Sequence, residues 1–229
     1  MKRIGLIGGM SWESSAQYYA IINRAVRDRL GGAHSAEMLL YSVDFGEIER
    51  LQHDGDWSSL TARMVDAARH LEAGGADFVL ICSNTMHLMA DEIAAAIGVP
   101  LLHVVDPTAA AITRAGLKRV GLLGTAFTME KAFYRDRLAA AGLEPLIPDD
   151  DDRREVHRVI YEELVAGKIE AASRAVYHDV IARLVERGAG AIVLGCTEIM
   201  LLVDQSDSAV PLFDTTSLHA LAAVDLALG

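Results

Sequence analysis

Short apolar segments alternate with longer amphipathic segments along the whole chain. The short segments have the length and β-branched content of buried strands, and the longer ones place apolar residues three or four positions apart, as helices do. Regular alternation of strand and helix favours a parallel sheet. We predict strands at residues 2–8, 38–43, 78–82, 101–105, 119–124 and 144–147, and a further strand that ends at Cys196. Helices are predicted at 12–30, 56–73, 86–97, 128–141, 153–165, 170–187 and 217–228, with a loop or short helix at 44–52.

The same pattern occurs twice. Residues 3–8 are echoed at 119–124, residues 68–82 at 182–196, and the Val-Pro-Leu of 99–101 at 210–212. Three matches in one order indicate two copies of one α/β unit. We therefore predict an α/β fold of two pseudo-symmetric lobes, each with a mostly parallel four-stranded sheet flanked by helices, and an active site in the cleft between them. The lobes are expected at residues 1–105 and 106–215, with a helix at about 216–229 packing on the first.

Composition narrows the class of protein. A hydrophobic fraction of 52% over 229 residues supplies a large core, and a net charge of −11 argues against a nucleic-acid partner. The amino terminus lacks the continuous apolar region of a signal peptide, and no stretch reaches the roughly 20 apolar residues of a membrane span. We expect a cytoplasmic protein with reduced cysteines and no membrane partner. The acidic run at 149–152 is interpreted as a helix start, because it lacks the spaced ligands of a calcium loop.

The only two cysteines, Cys82 and Cys196, lie at the carboxyl ends of the matched apolar strands of the two copies. Ligands of open α/β sheets bind at the carboxyl ends of the strands. A zinc site would need three or four clustered ligands, a disulfide is opposed by the reducing cytosol, and nucleophilic catalysis needs one thiol. Two matched thiols instead fit a racemase or epimerase that works with two bases, although a lone cysteine at a strand end is usually core. A helix start after each cysteine is expected to lower the pKa of the thiol.

The polar residues after each thiol are candidate substrate contacts. Ser83, Asn84 and Thr85 follow Cys82, and Thr197 and Glu198 follow Cys196. Their hydroxyl and amide groups suit a substrate carboxylate, and Glu198 suits either the substrate ammonium or the orientation of Cys196. Backbone donors of the turns after the first strand of each copy are further candidates, and Thr125 lies in the second of these turns.

Together these residues resemble the aspartate/glutamate racemase family, which uses no pyridoxal phosphate. Within it the chain is most similar to the aspartate racemase branch, because Glu198 stands where a glutamate racemase would have His after Cys-Thr, and the first turn lacks an acidic residue. The resemblance rests on four segments: residues 4–14, 82–87, 195–199 and 211–216.

The resemblance implies that Cys82 and Cys196 are the proton donor and acceptor, with no cofactor and no metal. It also implies a homodimer acting on a small amino acid, L- or D-aspartate first and glutamate second. The substrate contacts it carries over are Met10, Gln52, Ser83, Asn84, Thr85 and Lys168.

Other functions stay open at this stage. Aspartate racemases often carry a Pro-Asp-Arg segment after the second strand, whereas this chain has residues 44–50 with Arg50 as the one cation. A broad-specificity racemase of non-acidic amino acids, or a hydantoin racemase-like isomerase, is therefore an alternative. A decarboxylase of the arylmalonate type would need one cysteine, and a two-lobed small-molecule binding protein would need neither. The Gly5 to Gly9 turn lacks the G-x-G-x-x-G spacing of a nucleotide site.

Overall fold

The computed structural model describes all 229 residues and divides into two units. The first unit comprises residues 1–104 together with 219–229, and the second comprises residues 105–218. Each contains one four-stranded sheet in which every pair of neighbouring strands is parallel. The two sheets have the same order of strands, counted from the first strand of each unit, which confirms the predicted fold class.

The first unit has the strand order β2-β1-β3-β4. Its strands are β1 (Ile4–Gly8), β2 (Met38–Ser42), β3 (Phe78–Ile81) and β4 (Leu101–Leu102). Its helices are α1 (Trp12–Leu30), α2 (Phe45–Asp54), α3 (Trp57–Ala73) and α4 (Ala90–Ala96), and a 3₁₀ helix at Thr85–Met89 precedes α4.

The second unit has the strand order β6-β5-β7-β8. Its strands are β5 (Arg119–Gly124), β6 (Glu144–Leu146), β7 (Ala191–Gly195) and β8 (Leu212–Asp214). Its helices are α5 (Val105–Arg114), α6 (Ala126–Glu130), α7 (Ala132–Ala140), α8 (Asp150–Glu162), α9 (Ala171–Glu186) and α10 (Ile199–Leu202), with 3₁₀ helices at Leu164–Ala166 and Gln205–Asp207. The last helix, α11 (Thr215–Leu228), belongs to the first unit from His219 onward.

Both faces of the first sheet are buried, as expected of parallel strands that read as continuous apolar runs. Helix α3 packs on one face of the sheet through Leu60, Met64 and Leu71. Helices α1 and α11 pack on the other face, through Ile22 and Val224 respectively. Burial of these side chains drives folding at roughly 1.5–3 kcal/mol each. The central strand β1 is consequently inaccessible along its whole length.

Side-chain caps fix the starts of several helices. Ser11 accepts a hydrogen bond from the backbone N–H of Ser14 at the start of α1, and Asp56 accepts one from Ser59 at the start of α3. Asp149 caps α8 in the same way and three aspartates fill its first turn, which confirms the interpretation of the acidic run as a helix start.

Several predicted boundaries were wrong. The predicted strand at 101–105 ends at Leu102, and α5 begins at Val105 because Pro107 suits the first turn of a helix. The predicted helix at 128–141 is divided at Lys131, whose backbone is extended (φ −73°, ψ 147°). The segment at 44–52, by contrast, agrees with one of its two expectations, since it forms the short helix α2, capped by Asp44. None of the helices combines the length and the apolar content needed to cross a membrane.

Candidate active site

Cys82 directly follows β3 and is fully buried. Its backbone N–H donates to the carbonyl of Ile7 over 2.8 Å, which extends the pairing of β3 with β1 by one residue. The thiol packs among side chains of α1 and α11, including Tyr18 and Ala220. Burial raises the pKa of the Cys82 thiol far above its usual value, because the thiolate would lose its hydration.

The residues after Cys82 form a buried loop that is held by His87. The Nδ1 atom of His87 lies 2.7 Å from the carbonyl oxygen of Ser83, and the backbone N–H of Val104 donates to its Nε2 atom over 3.1 Å. Because a backbone N–H only donates and a carbonyl only accepts, the proton of this imidazole is on Nδ1. His87 therefore joins the loop after Cys82 to the residues after β4. Ser83, Asn84 and Thr85 are all buried in this loop.

Replacing His87 by alanine is expected to destabilise the protein by about 2–4 kcal/mol, because two buried backbone groups lose their partner and a cavity remains. Urea unfolding followed by circular dichroism measures the loss. His87→Gln is the matched control, since an amide can both donate and accept a hydrogen bond, and it should recover part of the stability. Equal losses in both variants would show that the two hydrogen bonds are not the cause.

Met10 and Gln52 lie in the same unit as Cys82. Met10 follows Gly9, whose φ of +88° and whose close approach to the Val43 backbone leave no room for a side chain: a Cβ would lie 2.3 Å from the Val43 carbonyl oxygen. Gln52 is a buried residue of α2, and its Nε2 atom lies 3.3 Å from the sulfur of Met86. Met86 lies in the helical turn after Cys82, so Gln52 contacts that turn, and Met10 belongs to the same apolar cluster as Met86.

Cys196 directly follows β7, and its thiol donates a hydrogen bond to Oε2 of Glu198 over 3.0 Å. The hydroxyl of Thr197 donates to the same carboxylate oxygen over 2.9 Å. Glu198 is 1% exposed and Cys196 7% exposed, so this thiol and carboxylate form a nearly dry pair. The structure thus gives Glu198 the role of a direct partner of Cys196.

The expectation of lowered thiol pKa values was wrong for both cysteines. Backbone N–H groups of Thr197 and Glu198 do lower the pKa of Cys196, as a helix start should. Burial raises that pKa by more, and the negative charge of Glu198 raises it further. At Cys82, burial is the one cause of the shift. Both cysteines are therefore thiols rather than thiolates at neutral pH.

Equivalent strands carry the two cysteines, but their surroundings differ. Cys196 packs in the cluster formed by α8 and α9, with Tyr177 and Ile181, whereas Cys82 packs against α1 and α11. The sequence repeat predicted matched positions and could not show this difference, because it does not specify which helix each thiol contacts. The consequence is chemical, since a carboxylate contacts the sulfur of Cys196 alone.

The loop after Cys196 is anchored by the start of α11. The hydroxyl of Thr215 donates to the carbonyl of Leu194 over 2.8 Å, and the hydroxyl of Thr216 donates to the carbonyl of Thr197 over 3.4 Å. Asp214 caps the helix through the backbone N–H groups of Thr216 and Ser217, and burial raises the pKa of its carboxyl group. These contacts fix the backbone on both sides of Cys196.

The remaining predicted contacts fall into two groups. Thr125 is buried and caps α6 by accepting from the N–H of Thr128 over 3.2 Å, directly after β5. Lys168 follows Gly167, whose backbone is left-handed, and its side chain is exposed. It is therefore not among the candidate contacts that the structure buries. Arg50, the cation available to replace a Pro-Asp-Arg arginine, is exposed on α2 and pairs with Asp54.

Sequence reasoning missed two further buried histidines in the first unit. His219 on α11 lies 2.9 Å from both the Tyr18 hydroxyl and the Leu102 carbonyl, and the ring of His103 lies 4.4 Å from that of His87. A histidine inside the apolar pattern of a helix was the available signal for His219, and His103 gave none because it lies outside regular structure.

The fold and the site together define a duplicated α/β protein with a thiol at the carboxyl end of the third strand of each unit. A family model described as Asp/Glu/hydantoin racemase matches residues 7–223, and the chain therefore belongs to this racemase family. Its fold is that of the two-lobed aspartate and glutamate racemases.

Similar proteins come from several organisms. A candidate Asp/Glu racemase from Yersinia pestis has a structure with a TM-score of 0.92 at 53% identity, with full coverage of both chains. An aspartate racemase homologue from Pyrococcus horikoshii has a TM-score of 0.85 at 32% identity, again with full coverage. The broad-specificity amino-acid racemase RacX of Bacillus subtilis is 26% identical over 96% of both sequences.

Proposed function

We propose that this protein is a cofactor-independent amino-acid racemase in which Cys82 and Cys196 transfer protons on opposite faces of the α-carbon. The observation that carries the proposal is the position of the two cysteines, each directly after the third strand of a unit with the same sheet order. Membership of the racemase family supports the reaction class.

The proposed reaction starts with the Cys196 thiol, which gives its proton to the Glu198 carboxylate that it already contacts. The resulting thiolate takes the α-proton of the substrate, and the electron pair of the C–H bond stays on the α-carbon. The Cys82 thiol then donates its proton to the opposite face, which leaves the inverted amino acid and a Cys82 thiolate. Proton transfer from Glu198 through water to Cys82 restores the resting state, and the other enantiomer follows the reverse path.

High thiol pKa values suit this chemistry. An α-proton is a very weak acid, so a base formed in a dry site abstracts it more effectively than a thiolate stabilised by water. The same burial makes the resting thiol a proton source that keeps its proton until a carbanion forms. Glu198 supplies the acceptor that Cys196 needs in order to ionise at all.

The proposed substrate is aspartate, with glutamate second. Support comes from the relatives described as Asp/Glu or aspartate racemases, which are similar to this chain over its full length. The proposed substrate contacts are Met10, Gln52, Ser83, Asn84, Thr85, Thr125, Thr197 and Glu198, with Lys168 retained on the resemblance alone. We also propose that the protein acts in the cytoplasm as a homodimer.

One observation favours a second candidate, a racemase of broad specificity. Every buried polar side chain is Ser, Thr, Asn, Gln, His or Glu, so no buried Lys or Arg is available to neutralise a side-chain carboxylate. Arg50 is solvated beside Asp54. The similarity to RacX, a broad-specificity amino-acid racemase, points in the same direction.

Proton exchange in D₂O tests the proposal and separates these candidates. We expect the α-proton NMR signal of a substrate amino acid to disappear, with formation of its other enantiomer, without added pyridoxal phosphate or metal. Reaction confined to aspartate and glutamate supports the acidic class, and reaction of neutral or basic amino acids supports broad specificity. If folded protein with reduced thiols exchanged no amino acid, the proposal would fail, and hydantoins would be assayed next.

A further inference from the structure

The carboxyl ends of β5 and β7 lie side by side in the second sheet. Their register pairs Gly124 with Gly195, so Thr125 and Cys196 are the first residues beyond the paired strands. A Cβ on Gly124 would lie 2.7 Å from the Gly195 carbonyl oxygen, and one on Gly195 would lie 2.7 Å from the Leu123 carbonyl oxygen, so neither position has room for a side chain. Neighbouring strands are about 4.8 Å apart. The turn that carries Thr125 therefore lies beside the residue that carries the thiol.

Two side chains hold this turn. The hydroxyl of Thr125 accepts from the backbone N–H of Thr128 over 3.2 Å, and Nδ1 of His157 accepts from the backbone N–H of Ala126 over 3.1 Å. Because a backbone N–H only donates, His157 makes this contact while its Nδ1 is unprotonated and the proton of the imidazole is on Nε2. His157 lies on α8, 31 positions from Ala126 in sequence. The turn beside Cys196 is therefore held by a different helix from the one that it opens.

The matching turn of the first unit is held differently. There the backbone N–H of Gly9 donates to the hydroxyl of Ser15 over 2.8 Å, and Ser15 belongs to α1, the helix that the turn itself opens. In the second unit the turn opens the five-residue helix α6, and the acceptor comes from α8. His157 thus takes in the second unit the part that Ser15 takes in the first.

The ring of His157 is fixed by two aromatic neighbours. Its centroid lies 6.0 Å from that of Phe127, with the ring planes at 85°, and 4.6 Å from that of Tyr161. The helix that carries it, α8, packs through Val156 into the apolar cluster that contains Cys196. One helix therefore packs in the cluster around the thiol and also holds the neighbouring turn, so it couples the positions of the two.

We propose that His157 is a positioning residue of the racemase site, which holds the turn after β5 so that Thr125 contacts the α-carboxylate of the substrate beside Cys196. This inference rests on the proposed function. Removal of the α-proton by Cys196 brings the α-carbon to about 3–3.5 Å from the sulfur. The carboxylate is bonded to that carbon, so its oxygens come within reach of Thr125, the residue next to Cys196 on the neighbouring strand.

The position of this turn matters most while the α-proton is leaving. Negative charge then grows on the carboxylate oxygens, and a donor that is already in place stabilises it without rearranging. Without its acceptor on His157, the N–H of Ala126 has to find another partner and the turn shifts. A shift of about 1 Å at a substrate contact can lower the rate as much as about 100-fold.

Three substitutions of His157 separate the hydrogen bond from the packing of the ring. Asparagine carries its amide oxygen on Cγ, where histidine carries Nδ1, so His157→Asn can still accept from Ala126. His157→Leu has the shape of asparagine without an acceptor, and His157→Gln places its acceptor one bond further from the backbone. We expect kcat/KM to fall at least about 10-fold in His157→Leu and His157→Gln, and less than about threefold in His157→Asn. Polarimetry measures these values, and circular dichroism shows that each variant is folded.

Amide hydrogen exchange followed by NMR tests the contact without any substrate. The Ala126 N–H should exchange at least about fivefold faster in His157→Leu and His157→Gln than in the unsubstituted chain or His157→Asn, because it has lost its partner. Equal exchange in all four proteins would overturn the proposed contact, whether or not the protein proves to be a racemase. A His157→Leu variant with the kcat/KM of the unsubstituted chain, or no recovery of kcat/KM in His157→Asn, would overturn the positioning role even if Ala126 exchanged faster.

Discussion

Alanine at either Cys82 or Cys196 is expected to lower kcat/KM for racemisation at least about 10³-fold, equivalent to about 4 kcal/mol of transition-state stabilisation. In the proposed mechanism, inversion needs a base on one face and an acid on the other, so neither thiol should replace its counterpart. Because the two enantiomers have equal free energies, kcat/KM must fall by the same factor in both directions. Polarimetry of purified variants measures the fall.

Isotope exchange makes this prediction sharper. A variant that keeps one cysteine can still remove a proton from one enantiomer and return deuterium to the same face. Cys82→Ala and Cys196→Ala should therefore each exchange one enantiomer without inversion, and each a different one. Cys→Ser variants of similar volume control for packing. A single-cysteine variant that racemises at the unsubstituted rate would exclude the two-base mechanism.

Glu198→Gln is expected to lower kcat/KM about 100-fold at neutral pH, within the usual contribution of a positioned general base. Glutamine keeps the shape of the side chain but cannot take the proton of Cys196 from 3.0 Å away. Loss of the negative charge removes one of the two causes that raise the pKa of Cys196 most, so that pKa should fall. The remaining activity should then increase with pH, because it depends on thiolate formed without the relay.

The pH profile of kcat/KM distinguishes this relay from a structural role of Glu198. Thr197→Val removes the second hydrogen bond to the carboxylate and leaves the carboxylate in place, so it should cost less than about 10-fold. The relay would be ruled out if the Glu198→Gln variant had the unsubstituted rate at neutral pH and an unchanged dependence of kcat/KM on pH.

Sequence pattern predicted the two units and their parallel sheets, because the repeat is strong and the strands are continuous apolar runs, but it did not predict the order of the strands. It also directed attention to Cys82 and Cys196. The sequence pattern gave the wrong direction for the pKa values of the thiols. A cysteine followed by a hydroxyl residue indicates a helix start, but this pattern does not show whether water reaches the thiol. Burial depends on side chains of α1, α8, α9 and α11, which are distant in sequence from the cysteines they cover.

The missed hydrogen bonds have the same origin. The pairing of His87 with Val104 follows only once β4 is known to end at Leu102, and the prediction had extended that strand to residue 105. His219 contacts Tyr18 from 201 positions away, so no local pattern could join them. The pairing of Cys196 with Glu198 is local, and here the residue type and its spacing were sufficient to suggest the contact.

The division of the chain has a consequence for its biosynthesis. Residues 219–229 complete the unit that residues 1–104 begin, with Val224 in its core and the Lys2 N–H bonded to the Ala227 carbonyl. A ribosome therefore finishes the whole second unit before it delivers the last piece of the first. At about 5–20 residues per second, the nascent amino-terminal unit waits several seconds with the surface for α11 uncovered. Chains terminated shortly before residue 219 should thus be the ones that chaperones retain.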